Sequence, residues 1–337
     1  MKKLIIISFL VICIAAFKSI NDELFYIPKN FPKPVYDFAD NSLTKEKIKL
    51  GKALFYDPIL SKDNTISCSS CHLSNTAFTH TDHDLSHGIQ NRIGTRNAPT
   101  LINLAWNKSF MWDGGIHHLD MQALAPITNP DEMDETIENV VAKLQQNKKY
   151  RKLFYDAFND SIVTGEHTLK SISQFLVTLV SADSKYDKVM RKEQGISFTE
   201  HEQKGYELFK TNCSSCHKEP LFTNNEFENN GLQPDSTLHD GGRMRITKNV
   251  ADSLKFKVPT LRNIELTYPY MHDGRFKNLQ MVLFHYTEDI HPSPTLSNQL
   301  KTKITLGEKE KGYLIDFLKT LTDEDFIQNK KHQFDAY

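Results

Sequence analysis

Four cysteines of the chain fall into two copies of one short motif. In each copy two residues separate the cysteines, and a histidine follows directly. The copies are Cys68-Ser69-Ser70-Cys71-His72 and Cys213-Ser214-Ser215-Cys216-His217. This is the attachment signature of c-type haem, in which both thiols bond to the porphyrin and the histidine binds the iron. The motifs therefore predict two covalent haems, with His72 and His217 as proximal ligands.

Three other uses of these cysteines are open from spacing alone. Each pair could form a disulfide, act as a thioredoxin-like redox pair, or contribute to a zinc site. None of these requires a histidine after both second cysteines, and no βαβ pattern surrounds either motif. The pairs are also 145 residues apart, far beyond a zinc ribbon. Haem attachment explains more of the pattern than any of the three.

The segments around the two motifs repeat. Gly51–Phe55 precedes the first motif, and Gly205–Phe209 precedes the second. Two further pairs follow at a constant offset of 160: Pro99-Thr100-Leu101-Ile102-Asn103 with Pro259-Thr260-Leu261-Arg262-Asn263, and Met111-Trp112-Asp113-Gly114 with Met271-His272-Asp273-Gly274. Internal repeats of this length indicate a duplicated structural unit.

The elements that position these motifs are predicted to be helices. Apolar residues recur at intervals of three and four, and no sustained alternating strand pattern is present. These residues are Ile137, Val140, Val141 and Leu144; Leu169, Ile172, Phe175 and Leu179; and Leu314, Phe317, Leu318 and Leu321. Thr199 and Glu202 form a capping box before the second motif. Polar Ser184–Ser197 is the expected linker.

We thus predict a mostly α protein with two c-type cytochrome-like domains related by internal duplication, each binding one covalent haem. The N-terminal haem domain covers residues 17–190, and the C-terminal haem domain covers 191–337. The length of 337 residues fits two domains. A net charge of -1 lacks the basic surface of a nucleic-acid-binding protein.

Residues 1–16 read as a signal peptide. Basic Met1-Lys2-Lys3 precedes an apolar run from Leu4 to Ala16, which is shorter than the about 20 residues of a transmembrane helix. Lipidation at Cys13 is a weaker alternative, because Ile12 occupies the position where lipoprotein signals usually have a small residue. Export and haem attachment together favour a periplasmic protein, provided that the source is a Gram-negative bacterium.

The two copies differ at one position suited to an iron ligand. Tyr286 in the second copy corresponds to Pro126 in the first. A tyrosine oxygen can bind ferric haem iron, whereas proline offers no side-chain donor. If this position lies over the iron, only the first haem has an open face. Gln122 and Glu132, near Pro126, could then contact a ligand bound to the open iron. Alternatively, they are solvated groups at a helix end.

From Leu43 to Phe326 the chain resembles the bacterial dihaem cytochrome c peroxidases and, within that superfamily, the MauG-like branch. The shared stretches are Arg96-Asn97-Ala98-Pro99, Phe110-Met111-Trp112-Asp113-Gly114, Gln122 with Glu132, Gly242-Arg243, Val258-Pro259-Thr260-Leu261-Arg262-Asn263 and Pro269-Tyr270-Met271-His272-Asp273-Gly274. The resemblance implies that the N-terminal haem reacts with peroxide and the C-terminal haem transfers electrons.

The resemblance also implies roles for individual residues. Gln122 and Glu132 match the distal pair that binds and protonates peroxide, and Trp112 matches the tryptophan between the haems. A calcium ion at the domain interface is implied by three oxygen donors: the Asn97 side chain and the Thr267 and Pro269 carbonyls. The alternative for Asn97 and Pro269 is that they only shape turns.

Tyr286 departs from the peroxidases, which carry Met at this position, and matches MauG. An anionic oxygen ligand stabilises ferric iron and should lower the potential of this haem. Met271 and Met281 are lower-ranked alternatives as ligands.

In many dihaem peroxidases a loop histidine caps the first haem at rest. His87 is nearest that position, beside His80 and His83, but all three could be solvated.

Three functions remain open at this point. The first is a cytochrome-c-peroxidase-type oxidoreductase that reduces hydrogen peroxide with electrons from a small c-type cytochrome or copper protein. The second is a MauG-like enzyme that uses peroxide to oxidise residues of a partner protein. The third is a dihaem electron carrier without catalysis, which would gain nothing from an open iron. The sequence identifies neither the donor nor the oligomeric state, although homodimers are common among the relatives.

Overall fold

The computed structural model describes residues 24–334, so the signal-peptide prediction and Cys13 lie outside the described residues. The helices are α1 (Lys45–Tyr56), α2 (Cys68–Cys71), α3 (Leu124–Thr128), α4 (Ile137–Gln146), α5 (Lys148–Phe158), α6 (Gly165–Val177), α7 (Lys185–Met190), α8 (Glu200–Asn212), α9 (Met244–Thr247), α10 (Leu279–Glu288), α11 (Glu308–Lys319) and α12 (Glu324–Ile327). The predicted helical stretches are confirmed, and Thr199 caps α8 through the capping box with Glu202.

Eight short 3₁₀ turns and one small strand pair complete the described part of the chain. The turns are Pro58–Leu60, Ser74–Thr76, Ile89–Asn91, Leu104–Trp106, Leu119–Met121, Val250–Asp252, Asn298–Leu300 and Lys330–His332. Strands β1 (Phe227–Glu228) and β2 (Phe256–Lys257) pair antiparallel. Within residues 24–334 no helix has the length and apolar character needed to cross a bilayer.

The duplication is visible in how each haem motif is supported. Helix α1 packs on α6 before the first motif, and α8 packs on α11 before the second. Both contacts depend on a glycine. A Cβ atom at Gly51 would lie 1.8 Å from the Ser171 carbonyl oxygen, and one at Gly205 would lie 1.9 Å from that of Tyr313. Each glycine thus lets two helix backbones approach closely at the same place in the two copies.

Repeated loops after the motifs share backbone geometry as well as sequence. Asn103 and Asn263 both adopt left-handed backbone angles, with φ of 56° and 59°. Their amides donate to the carbonyls of Leu179 and Leu321, respectively. Asparagine tolerates this conformation better than most residues, which fits its presence in both copies. The predicted mostly helical duplicated fold is therefore confirmed.

Two hydrophobic cores lie in the described chain, one for each copy. The C-terminal tail joins the first core and not the second. Phe326 and His332 pack against Phe78, and the Tyr56 hydroxyl donates to the His332 carbonyl at 2.5 Å. The chain thus returns to its N-terminal half after completing the second copy. The domain boundary near residue 190 stays a prediction.

The expected linker differs from the structure, since its first part forms helix α7. Ser184 and Asp187 form a capping box at its start, and Tyr186 is buried in the second core. Asp187 also makes a two-bond ion pair with Arg262, both bonds being 2.8 Å long, and neither side chain is exposed. Removing one partner of such a buried pair typically costs about 3–5 kcal/mol, so this pair fixes α7 to the second copy.

Candidate functional site

The first haem motif forms the single turn α2, with His72 at its end. The His72 amide donates to the Cys68 carbonyl at 3.0 Å, which closes the turn. The His72 Nδ1 lies 2.8 Å from the Phe78 carbonyl oxygen and must donate, because a carbonyl only accepts. That leaves Nε2 with the lone pair that an iron ion needs. Burial lowers the pKa of His72 to about 4, which keeps the imidazole neutral.

The second motif has the same arrangement after α8. The His217 amide donates to the Cys213 carbonyl at 2.9 Å. The His217 Nδ1 lies 3.1 Å from the Pro259 carbonyl oxygen and 3.2 Å from that of Phe222. Burial lowers its pKa to about 4. Both histidines are therefore oriented as neutral Nε2 donors, which is the form that binds haem iron.

The chemistry of the thiols agrees with haem attachment. Cys68, Cys71, Cys213 and Cys216 form no disulfide. Among residues 24–334, no group of three or more histidine, cysteine or acidic side chains is arranged to hold a metal ion, so a zinc site is absent there. Each pair of thiols with its adjacent histidine fits one c-type haem, whereas the disulfide and zinc alternatives do not fit this part of the chain.

A large, mostly apolar cavity lies beside the second motif. It is lined by Cys213, Cys216, His217 and Tyr286, together with leucines from α10 and α11. Burial raises the pKa of the Tyr286 phenol to about 12, while a hydrogen bond from Asn230 opposes this shift. The cavity fits a porphyrin with His217 as one ligand, and it places Tyr286 on its wall.

The two methionines that are alternatives to Tyr286 as a ligand lie in different surroundings. Met271 lines the same cavity as Tyr286, and its sulfur accepts a hydrogen bond from the Asn230 side chain at 3.3 Å. Met281, in contrast, has 40% of its surface exposed. Asn230 thus contacts the sulfur of Met271 and influences the phenol of Tyr286, a role that the sequence did not indicate. Tyr286 as the sixth ligand stays a prediction.

Glu132 lies on the loop that packs against the first motif. The Ile89 amide donates to the Glu132 carbonyl at 2.8 Å, and a Cβ atom at Gly88 would lie 2.5 Å from the Glu132 Cα. Burial is the main cause of the raised pKa of Cys68 and Cys71, and the negative charge of Glu132 adds a smaller contribution to both. The structure therefore brings Glu132 and the first haem motif together.

The carboxyl group of Glu132 has one polar partner that sequence reasoning missed. The Asn129 side-chain amide donates to Glu132 Oε1 at 2.9 Å. Burial raises the pKa of Glu132, and this hydrogen bond partly offsets the rise. The only sequence signal was the Asn-Pro turn three residues earlier. Gln122 is partly buried and lies just before α3, which carries Pro126, but within the described chain no hydrogen bond joins its side chain to Glu132.

The three loop histidines lie side by side, and two of them, His83 and His87, stack. The ring centroids of His80 and His83 are 5.0 Å apart, and those of His83 and His87 are 4.1 Å apart with nearly parallel planes. The His87 carbonyl lies 3.6 Å from the Cys71 sulfur, so the loop borders the first motif. The backbone of His87 thus lies beside the first haem motif, and its role as a cap stays a prediction.

Trp112 lies between the two copies. Its indole Nε1 donates to the Asn97 carbonyl at 2.9 Å, and both residues line the cavity of the second motif with Thr267 and Pro269. The buried Asn97 side chain donates to the Asp84 carbonyl at 2.9 Å, which leaves its Oδ1 as an acceptor. Amide and carbonyl oxygens are ligands suited to calcium. The residues present therefore fit the implied ion.

An ion-pair network holds the Trp112 loop against the second copy. Arg96 pairs with Asp113 at 2.7 Å and with Asp240 at 2.6 Å, and Asp240 belongs to the second copy. Arg243 donates to the Asp113 carbonyl at 3.1 Å. Arg96 and Arg243 belong to motifs shared with the family, but their partners across the interface could not be read from the sequence. The Arg96–Asp240 and Arg243–Asp113 contacts join residues 144 and 130 positions apart.

The profile of a family described as "Di-haem cytochrome c peroxidase" matches residues 45–195, and that of "Cytochrome c" matches residues 202–322. The chain is 34% identical to the methylamine utilization protein MauG of Methylorubrum extorquens over 307 residues, 88% of this chain and 83% of the relative. It is 38% identical to the cytochrome c551 peroxidase of Nitrosomonas europaea over 283 residues, 82% of this chain and 80% of that protein.

A solved structure is similar over nearly the whole length. The crystal structure of a MauG-like protein associated with microbial copper homeostasis is 32% identical in sequence and superposes with a TM-score of 0.82. The similarity covers 91% of this chain and 98% of that one. Both haem motifs, the Trp112 loop and α10 lie inside the residues that the two family profiles match.

Proposed function

Because the chain belongs to the dihaem cytochrome c peroxidase family, we propose that it reduces hydrogen peroxide to water in its N-terminal domain. As a member it is an oxidoreductase with two c-type haems. When bound, these haems supply the redox chemistry, the first at the peroxide site and the second on the path of electrons from a donor. His72 and His217 hold them, and the four motif cysteines attach them.

The protein side chains around the first motif supply proton transfer and orientation. We propose that Glu132, ionised at rest, accepts a proton from the oxygen of peroxide nearest the first haem and returns it to the far oxygen, which leaves as water. Gln122 orients the peroxide by hydrogen bonding. Trp112 lies on the path between the two haem positions. Asn129 positions the carboxyl group of Glu132 through the 2.9 Å hydrogen bond.

Two observations carry this proposal: a partly buried carboxyl group, that of Glu132, lies beside the first haem motif, and position 126 offers no side-chain donor. The second copy has Tyr286 where the first has Pro126. An enzyme needs one haem with room for a substrate, while an electron carrier needs none. The asymmetry between the copies therefore favours catalysis at the first haem over simple electron transport.

Electron paramagnetic resonance of the resting ferric protein tests this function. We expect one high-spin and one low-spin haem signal, and both should disappear together when one equivalent of hydrogen peroxide is added. The His87→Ala variant serves as the matched probe of the loop. If His87 caps the first haem, the native protein instead gives two low-spin signals that ignore peroxide until it is half-reduced, and His87→Ala restores the high-spin signal. A protein inert toward peroxide in every redox state would contradict the proposed function.

A second candidate function is supported by Tyr286. A phenol in the second cavity favours a MauG-like enzyme that uses peroxide to oxidise residues of a partner protein. The relatives include proteins named MauG and proteins named peroxidase at similar identity. The two functions share their first chemical step and differ in what supplies electrons: a small c-type cytochrome or copper protein in one case, protein side chains in the other.

We further propose export to the periplasm and leave homodimer formation as a hypothesis.

We also propose a calcium ion at the domain interface, held by Asn97, Thr267 and Pro269. Since no carboxylate contributes, we expect modest affinity and removal by excess chelator. Treating the protein with EGTA should loosen the contact between the copies and lower the midpoint of thermal unfolding, and added calcium should restore it. Magnesium is the control, because it favours a smaller octahedral site. Unchanged unfolding together with no calcium by elemental analysis would refute the site.

A further inference from the structure

The interface between the two copies has a local two-fold relationship. The backbone N–H of Asn97 donates to the His272 carbonyl at 2.7 Å. The backbone N–H of Lys257 donates to the Trp112 carbonyl, also at 2.7 Å. The offset of 160 that relates the repeats converts Asn97 into Lys257 and Trp112 into His272. The same contact is therefore made twice, once in each direction, as in the interface of a symmetric dimer.

The two halves of this interface differ in charge. Asn97 carries a neutral amide, whereas its counterpart Lys257 carries an amine. Both residues line the cavity beside the second haem motif. Any charge that Lys257 brings into this cavity has no equivalent in the first copy. The duplication has therefore placed one extra cation on the side of the second haem.

Lys257 has no protein carboxylate as a partner. It forms no ion pair within 4.0 Å in residues 24–334. Glu228, on the neighbouring strand β1, lines the cavity too but does not approach within that distance. Loss of hydration in the cavity lowers the pKa of Lys257 to about 8. A desolvated ammonium without a counter-ion is unfavourable, so an anion is expected beside it.

Neighbouring guanidinium groups already have partners. Arg96 pairs with Asp113 and Asp240, and Arg275 pairs with Asp273. These groups are not available to neutralise a new anion without breaking an ion pair. A haem brings two propionate carboxylates, and these lie on the porphyrin edge opposite the thioether bonds. Of these three cations only Lys257 has no ion pair within the described chain, and it lines the cavity.

We infer that the ammonium group of Lys257 binds a propionate of the haem attached at Cys213 and Cys216. This ion pair anchors the carboxylate edge of that haem at the interface beside Trp112. It also favours the reduced haem, since reduction lowers the positive charge at the iron and a nearby cation stabilises the added electron. Lys257 is therefore a positioning residue for the second haem. The inference depends on haem attachment and not on the proposed reaction with peroxide.

The test compares the midpoint potential of the second haem in native protein and in Lys257→Met, measured by optical redox titration of the full chain with both haems attached. We expect Lys257→Met to lower this potential by an amount equal to about a tenfold change in the ferric-to-ferrous ratio, which is 59 mV for one electron. Lys257→Arg keeps the charge, so its ferric-to-ferrous ratio should stay within about threefold of the native one. The shift should persist in high salt, because a buried pair is screened weakly.

Lys255→Met is the matched control. It removes the same charge two residues away, where Lys255 pairs with Asp252 at 3.3 Å and does not line the cavity. Equal shifts in both variants, or no shift in Lys257→Met, would overturn the inference. A pyridine haemochrome assay establishes two haems per chain, and Lys257→Gln replaces Lys257→Met if the latter loses a haem. If Lys257→Met lowers the potential of the second haem as expected but the protein does not react with peroxide, only the proposed function is contradicted.

Discussion

Replacing Glu132 by Gln should slow the reaction with hydrogen peroxide by a factor of order 10²–10⁴, the usual loss when an acid-base group is removed. Glutamine keeps the size of the side chain and can still accept the hydrogen bond from Asn129, but it cannot carry a proton between the peroxide oxygens. Stopped-flow absorbance after mixing ferric protein with peroxide measures this rate directly. Haem content and the rate of electron transfer to the second haem should not change.

The pH dependence of the same rate gives an independent readout. Burial raises the pKa of Glu132, and the proton-accepting form is the ionised one. The rate should therefore fall as pH falls through this raised pKa, and Glu132→Gln should abolish that limb of the profile. Asn129→Ala removes a contact that lowers the pKa, so it should move the limb to higher pH.

Asp131→Asn is the matched control for Glu132→Gln. Asp131 is exposed and adjacent in sequence, and its negative charge only adds to the rise in the pKa of Glu132. This variant should react at nearly the native rate, with its acid limb displaced slightly to lower pH. Native-like peroxide kinetics in Glu132→Gln would remove Glu132 from the catalytic machinery.

The parts of the site fixed by covalent chemistry could be predicted from sequence. Attachment of a c-type haem demands two cysteines at one spacing and an adjacent histidine, so His72 and His217 follow without any knowledge of the fold. The helices on either side followed from their apolar periodicity. Because the chain is duplicated, the two copies can be compared position by position, and this comparison singles out Tyr286 opposite Pro126.

Contacts between distant segments could not be predicted in this way. Helix α7 looked like a polar linker because its stability depends on Arg262, 75 residues from Asp187. Asn129 is an ordinary turn residue until the loop places its amide on Glu132. Lys257 gave no signal in the sequence, because its importance lies in the absence of a nearby carboxylate. In each case the decisive quantity is a distance set by the folded chain.

Tyr286 has the strongest bearing on which of the two catalytic functions applies. Its phenol lies on the wall of the cavity that contains His217, and burial raises its pKa to about 12. A phenol with so high a pKa ionises only beside a strong cation, and a ferric haem supplies one. A phenolate ligand would hold the second haem in its ferric form, whereas a thioether ligand would favour the ferrous form.

Replacing Tyr286 by Met should therefore raise the potential of the second haem, by roughly 0.1–0.3 V within the about 0.8 V range that axial ligands set. Optical redox titration measures the shift, and near-infrared magnetic circular dichroism of the ferric protein reports a sulfur ligand. The variant should accept electrons from a small c-type cytochrome more readily than the native protein. A MauG-like reaction, which needs a strongly stabilised ferric second haem, should weaken at the same time.

Tyr268→Phe is the control for this change, since Tyr268 is exposed and does not line the cavity. It should leave the potential unchanged. If Tyr286→Met also left it unchanged, Tyr286 would not be the sixth ligand, and Met271→Leu would become the informative variant because Met271 lines the same cavity. A large shift in Met271→Leu alone would then assign the thioether as ligand and favour the peroxidase over the MauG-like enzyme.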